Sequence, residues 1–353
     1  MVCGDDIICI YYINGKNSNY EKQEHVFPAG LGGTAKLKKG VVSDQANELF
    51  SKYECEFMRD SIISLPRGLY GPGKRGSLSK NKKTETKISV VEGKNGLELA
   101  YIALGKPYSI FQFTRHGKCF NITVPKEDED KYKLDRGYIK ETLYNIFDPN
   151  KQLIKIKDNR IPIGDYIIGE HKDKIYIANA VGDGSLEIVK RELDLICSRM
   201  KEISDVKYEK TDSPRFNFQI KESSLSSRVY AKTAINVLAY TYGDVFVKNK
   251  CFDNIRNWIL NDDYSEDEFT CYNPKCHNFR DIFPKHSHWC IITKKDDYLF
   301  AVVCFYNSIV KQVLLSNTYK EPFALQGMVC DWQNKKDYLL DVFIGQHVRN
   351  LNL

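Results

Sequence analysis

Glu24-His25-Val26-Phe27-Pro28, continued by Leu31-Gly32-Gly33 and by Asn47 further on, is the most informative stretch of this 353-residue chain. A carboxylate directly before a histidine, a proline soon after and a double glycine make a compact loop, with Gly30 to Gly33 reading as a turn. Ahead of it, Ile7–Tyr12 is a short β-branched, apolar run that predicts a strand. Behind it, Val41-Val42 is a second strand candidate. From Asp44 to about Met58, Ala46, Leu49, Phe50, Tyr53 and Phe57 recur at helical spacing, with Ser43 or Asp44 as the cap. The first sixty residues thus read strand, turn, strand, helix, with Asn47 in the first turn of the helix and able to project back toward the loop.

Further along, Ile88 to Val124 is strand-like, with runs at Leu99–Leu104 and Tyr108–Thr114. Gln152–Ile156 and Asp165–Ala180 read the same way. Leu186–Met200 is an amphipathic helix, through Leu186, Val189, Leu193, Ile196 and Met200. Ser223–Tyr242 reads as a buried helix and Phe252–Leu260 as another. Trp289–Thr293 and Tyr298–Tyr306 form a hairpin across Lys294–Asp297, and Val310–Leu315 adds a strand. The expected class is α+β: a finger with a basic Gly-rich loop over residues 1–87, an α+β middle region over 88–222, and an α+β C-terminal region over 223–353. Trp258, Trp289 and Trp332 are expected in the core.

Hydrophobic residues make up 42% of the chain and charged residues 28%, which excludes a disordered or collagen-like polymer. No apolar run approaches the ~18 residues of a spanning helix. The start, Met1-Val2-Cys3-Gly4-Asp5-Asp6, lacks the layout of a signal peptide. The expectation is a cytoplasmic protein without membrane association, whose eleven scattered cysteines are reduced thiols. The formal net charge is +6. Between Pro66 and Lys87, Arg67, Lys74, Arg75, Lys80, Lys82, Lys83 and Lys87 face only Glu85, and this surplus equals that of the whole chain. Glycines interleave them, and glycine lets a backbone approach a phosphate closely. The competing reading is a solvated linker.

The combination of Glu24, His25, Pro28, Leu31, Gly32, Gly33 and Asn47 on a strand–loop–helix resembles the HNH endonucleases, the ββα-metal or His-Me finger nucleases. The likeness runs from about Ile7 to Met58 and continues through Leu65-Pro66-Arg67 and Gly71 to Ser77. It implies an N-terminal ββα-metal finger that hydrolyses phosphodiester bonds of DNA, in a setting such as restriction or anti-phage defence. That chemistry needs a general base near neutral pH, for which His25 is the candidate, with Glu24 beside it. The resemblance further implies one Mg²⁺ or Mn²⁺, for which Glu24 and Asn47 offer oxygen ligands. Glu54, two helical turns after Asn47, is a third ligand or an orienting group. Lys36, Lys38 and Lys39, with Arg67, Lys74 and Arg75, are the expected contacts to the nucleic-acid backbone.

Two departures bear on this. Many relatives brace the finger with zinc held by two Cys-x-x-Cys pairs. Here those positions read Cys9-Ile10-Tyr11-Tyr12 and Ser43-Asp44-Gln45-Ala46, and only Cys9 remains. The middle asparagine, which in the family braces the loop bearing the histidine, has no counterpart in Thr34–Gly40. Both departures favour a second reading, a non-catalytic nucleic-acid binder on a degenerate finger, which predicts salt-sensitive binding without cleavage. A third is a nuclease acting on RNA. Monomer and oligomer both stay open.

Cys271, Cys276, His277, His286, His288 and Cys290 form a second cluster. A structural Zn²⁺ at Cys271, Cys276, His286 and His288 is the sharper reading, and a Cys-rich loop ahead of a buried strand is the plainer one. His116, His171 and His347 read as ordinary surface residues.

Overall fold

A computed structural model describes residues 9–11, 19–79, 82–93, 96–103, 105–125, 139–199, 223–260, 266–272 and 279–347. The fold is α+β. The chain divides into two compact units, Met1–Thr84 with Ile220–Leu353, and Glu85–Gln219. The domain limits read from the sequence at 87 and 222 lie near these boundaries. The N-terminal and C-terminal regions, however, share one unit rather than standing as separate domains.

Helix α1 (Asp44–Asp60) starts where the spacing places it. The Ser43 hydroxyl accepts from the Ala46 amide (3.3 Å), satisfying one of the first-turn donors that have no partner inside the helix. Ala46, Phe50, Tyr53 and Phe57 form its buried face. The predicted strands flanking the loop are not strands among the described residues. Cys9, Ile10 and Tyr11 are buried coil, and Val41-Val42 lies in a bend, joined to it by the Ile10 amide on the Val41 carbonyl (3.0 Å). Their apolar composition reflects burial rather than ladder pairing. Helix α2 (Ser64–Tyr70) begins just before the stretch read as a basic loop. Pro66 is tolerated there because it falls in the first turn, where an amide has no helical acceptor anyway.

The unit Glu85–Gln219 opens with an antiparallel three-stranded sheet, β1 (Ser89–Gly93), β2 (Gly96–Ala103) and β3 (Lys106–Ser109). The run Tyr108–Thr114 is not one strand. It breaks at Ile110, and β4 (Phe111–His116) enters a second sheet. Pro107 lies in β3, an edge strand, where a missing amide does least harm. The second sheet adds β5 (Cys119–Thr123), β6 (Gln152–Lys157), β7 (Tyr166–His171) and β8 (Lys174–Asn179), in the order β5-β4-β7-β8-β6. Helices α3 (Ile139–Ile146) and α4 (Leu186–Arg199) cover it, with Leu143, Val189, Leu193 and Ile196 meeting Phe111, Phe113, Ile168 and Ile177. His171 is bonded to Glu85 (3.1 Å) and half-buried, more engaged than the surface residue expected.

The chain then forms α5 (Ser224–Tyr242), α6 (Asp244–Val247), α7 (Asp253–Leu260), α8 (Glu266–Phe269) and β9 (Thr270–Cys271). Strands β10 (His288–Lys295), β11 (Tyr298–Phe305), β12 (Ile309–Ser316), β13 (Gln326–Asp331) and β14 (Lys336–Leu339) follow, and α9 (Leu340–His347) closes the fold. These six strands form an antiparallel sheet in the order β14-β13-β10-β11-β12-β9. Alternation along its strands divides two faces. Cys290, Ile292, Val303, Phe305 and Met328 join the core that holds α5 and the apolar face of α1. Trp289, Val302, Cys304 and Val329 pack on Phe343 of α9. Helix α5 touches both α1 and the sheet and is buried without interruption from Ser226 to Ala239, so its polar residues, Arg228, Lys232 and Asn236 among them, are enclosed together with its apolar ones. Trp258, Trp289 and Trp332 are all buried, as expected.

Candidate active site

The loop bearing His25 is closed by antiparallel backbone pairing. The Val26 amide donates to Ala35 (2.9 Å) and the Leu37 amide to Glu24 (2.8 Å), so His25 sits opposite Lys36. Alternation then sorts the side chains: Glu24 and Val26 are buried, and His25 is half-exposed. Between the two arms the chain makes a tight turn at Ala29–Leu31, and Gly32 adopts φ 94°. At Gly33 a Cβ would lie 2.2 Å from the Phe27 carbonyl oxygen, a backbone atom with no room to retreat. Gly33→Ala should therefore cost about 1–3 kcal/mol, read as a lower urea midpoint at unchanged slope.

Three side chains from the C-terminal region brace this loop. Asn236 on α5 donates from Nδ2 to the His25 carbonyl (2.9 Å). Asp337 on β14 accepts from the Thr34 amide (2.7 Å), the Thr34 hydroxyl (2.8 Å) and the Ala35 amide (2.5 Å). His288 on β10 accepts the Tyr306 amide at Nδ1 (2.9 Å) and lies 3.1 Å from the Leu31 carbonyl at Nε2. That pair of contacts assigns the neutral Nε2–H tautomer.

Burial holds the His288 pKa down at about 4, against an ordinary 6.5. The native state then binds fewer protons than the unfolded state between those values, so stability falls as pH falls. It is fully present above pH 6.5 and lost as pH drops through about 4, by about 3 kcal/mol at about 1.4 kcal/mol per pH unit. Urea midpoints from pH 7 to 4 should show this slope in the wild type and a shallower one in His288→Gln.

Glu24 meets Glu54 of α1 at a single cation, the ammonium of Lys232 from the middle of α5. Lys232 is 1% exposed, and its Nζ also lies over the Phe50 ring, 5.4 Å from the centroid. The Tyr11 hydroxyl donates to Asn236 Oδ1 (2.5 Å), which turns the amide nitrogen toward the His25 carbonyl and Glu24 Oε1 (3.4 Å). Burial opposes the charge on Lys232, but Glu24 and Glu54 outweigh it and hold the ammonium above its ordinary pKa. Burial raises the Glu54 carboxyl, and Lys232 offsets part of that rise. His25 is pushed below 6.5 by burial and then by Lys36, against the opposing pull of Glu54 and Asp337. At pH 7 it is therefore mostly the neutral base.

Glu24 and Glu54 are thus brought together as the sequence suggests, but Asn47 is not part of that meeting. Its amide nitrogen donates to the Ser43 carbonyl of its own first turn (3.1 Å). Glu24, Asn47 and Glu54 do not fit a ready divalent-cation site, because Lys232 already satisfies both carboxylates. No group of three or more His, Cys, Asp or Glu side chains poised for a metal occurs among the described residues. The Ser43 amide donates to Cys9 Sγ (3.2 Å), so residues 9–11 and residues 43–46 touch.

Of the expected backbone contacts, Lys36, Lys38, Lys39, Lys74 and Arg75 are exposed, and Lys39 pairs with Glu21 (2.9 Å). The turn carrying Lys74 and Arg75 lies against the histidine loop: a Cβ at Gly76 would sit 2.6 Å from the Ala29 carbonyl oxygen. Arg67 departs from expectation. It is buried on α2, its guanidinium is 3.5 Å from the Gly73 carbonyl, and burial lowers its pKa, so it serves the fold rather than a ligand. The proposed zinc cluster does not assemble among the described residues. Both ring nitrogens of His288 are committed to backbone groups, His286 stacks on Tyr70 at 3.7 Å, and Cys271 is exposed on β9. Cys276 lies outside the described residues.

The sequence alone assigns no chemical role to Lys232, Asn236, Tyr11 or Asp337. A signal existed for two of them. Arg228, Lys232 and Asn236 recur every fourth residue in an otherwise apolar helix, and a polar stripe on a buried helix needs partners. Comparison of the chain with protein-family models, curated proteins and solved structures returned no match.

Proposed function

We propose that this chain is an HNH-type endonuclease that cleaves phosphodiester bonds of nucleic acid, DNA first, with His25 as the general base. The observation that supports it is that Glu24 and Glu54 meet at Lys232 while His25, next to Glu24 on the paired loop, stays half-exposed. A neutral imidazole there can take a proton from an attacking water. Positive charge facing a phosphate comes from exposed Lys36, opposite His25, and from Lys74 and Arg75 on the adjoining turn. RNA offers its own 2′-hydroxyl as nucleophile, so matched DNA and RNA substrates belong in the same assay.

Incubation of supercoiled plasmid with the wild type and His25→Ala, in Mg²⁺, in Mn²⁺ and in EDTA, tests the proposal. Nicking by the wild type that His25→Ala lacks supports it. A second reading, a nucleic-acid binder on a degenerate finger, is favoured by the engagement of both carboxylates by Lys232. It requires salt-sensitive binding by both proteins and cleavage by neither.

A further inference from the structure

Resting on the reading of residues 24–60 as a nuclease finger, we infer that Lys232 is the fixed cation of this site. Its ammonium holds the seat between Glu24 and Glu54 that a divalent ion would otherwise take, and the wild-type site binds no divalent ion there.

Three features carry this. The first is delivery. Lys232 comes from the centre of α5, in a stretch buried from Ser226 to Ala239, so the ammonium is not the tip of a mobile surface arm. The second is enclosure. Nζ contacts both carboxylates, faces the Phe50 ring, and leaves Lys232 1% exposed. The neighbouring Asn236 is fixed by Tyr11 and turned toward Glu24. The third is charge. Two carboxylates and one ammonium leave a single negative charge. A divalent ion entering the pair would strand a buried ammonium without its acceptors, and an unpaired buried charge is costly. Removing the ammonium while keeping the carboxylates reverses the balance. Two buried oxygen donors of like charge then face each other, an arrangement that favours a hard cation.

Mn²⁺ titration of the full chain, followed by loss of the free-ion electron paramagnetic resonance signal, tests the inference. Wild type and Glu54→Gln should take up equal numbers of ions. Lys232→Met should take up one more per chain, and Lys232→Met/Glu54→Gln should lose it again. Mn²⁺ should also raise the thermal midpoint of Lys232→Met and leave that of the wild type in place. A wild-type ion that Glu54→Gln loses would overturn the inference. So would a Lys232→Met protein that is folded by circular dichroism and gains no ion. If Lys232→Met does not fold, the wild type against Glu54→Gln still decides. None of these readouts involves cleavage, so failure of the nuclease reading shows separately, as a plasmid left intact by a protein whose ion counts are as expected.

Discussion

Lys232→Ala should destabilise the protein by about 3–5 kcal/mol at pH 7, measured as a lower urea or thermal midpoint. The loss comes less from the missing attraction than from what is left behind. Glu24 and Glu54 stay buried, with side chains 8% and 14% exposed, and they lose their common counter-ion. Neither has solvent enough to replace it. A large unit of this kind should show the loss as a drop in midpoint of roughly 10 °C. Removing the charges together is the control. Lys232→Met combined with Glu24→Gln and Glu54→Gln leaves no stranded charge and should recover most of the stability. A loss below about 1 kcal/mol for Lys232→Ala would mean that water reaches the carboxylates, and the description of a closed cluster would fall.

The same cluster is the part of the molecule that local sequence does not specify. Helix α1 was legible because its apolar spacing and its Ser43 cap agree, and local consistency of that kind survives in any tertiary setting. The hairpin β10–β11 was legible for a similar reason: alternation and a short polar turn specify it locally. Val41-Val42 is a bend, and residues 9–11, the described part of the run Ile7–Tyr12, are coil, because a short apolar run signals burial before it signals pairing. Glu24, His25 and Glu54 were legible as a chemical set, being close in sequence around one loop and one helix. Their partners were not. Lys232 and Asn236 lie about two hundred residues away, and Asp337 and His288 farther still. A long-range ion pair leaves no periodicity. Only the polar stripe on α5 hinted at it, and the apolar residues around that stripe masked the hint. Residues 1–60 alone likewise do not show what braces the loop that bears His25. Asn236, Asp337 and His288 of the C-terminal region brace it, while the Ser43 amide on Cys9 Sγ ties the start of α1 to the coil ahead of the loop.

His25→Ala should reduce plasmid nicking by about 10²–10⁴-fold while leaving the thermal midpoint nearly unchanged. The ring is half-exposed, and the loop is held through the His25 backbone carbonyl rather than the imidazole. Truncation therefore removes a proton acceptor and little packing. The pH dependence carries a second, independent sign. A general base works only when deprotonated, and burial and Lys36 hold His25 below 6.5. Cleavage should rise with pH through that depressed value and be level by neutrality. Lys36→Met removes a cation that disfavours the imidazolium, so the acid limb should move to higher pH, whatever happens to the plateau rate. A purely structural His25 would give no limb for Lys36 to move. A profile that stays flat through the acid range in the wild type, or a His25→Ala protein that nicks at the wild-type rate, would remove His25 from the chemistry. Intact plasmid in both, with binding that weakens as salt rises, would leave a phosphate-binding surface at Lys36, Lys74 and Arg75 and a histidine with no reaction to serve.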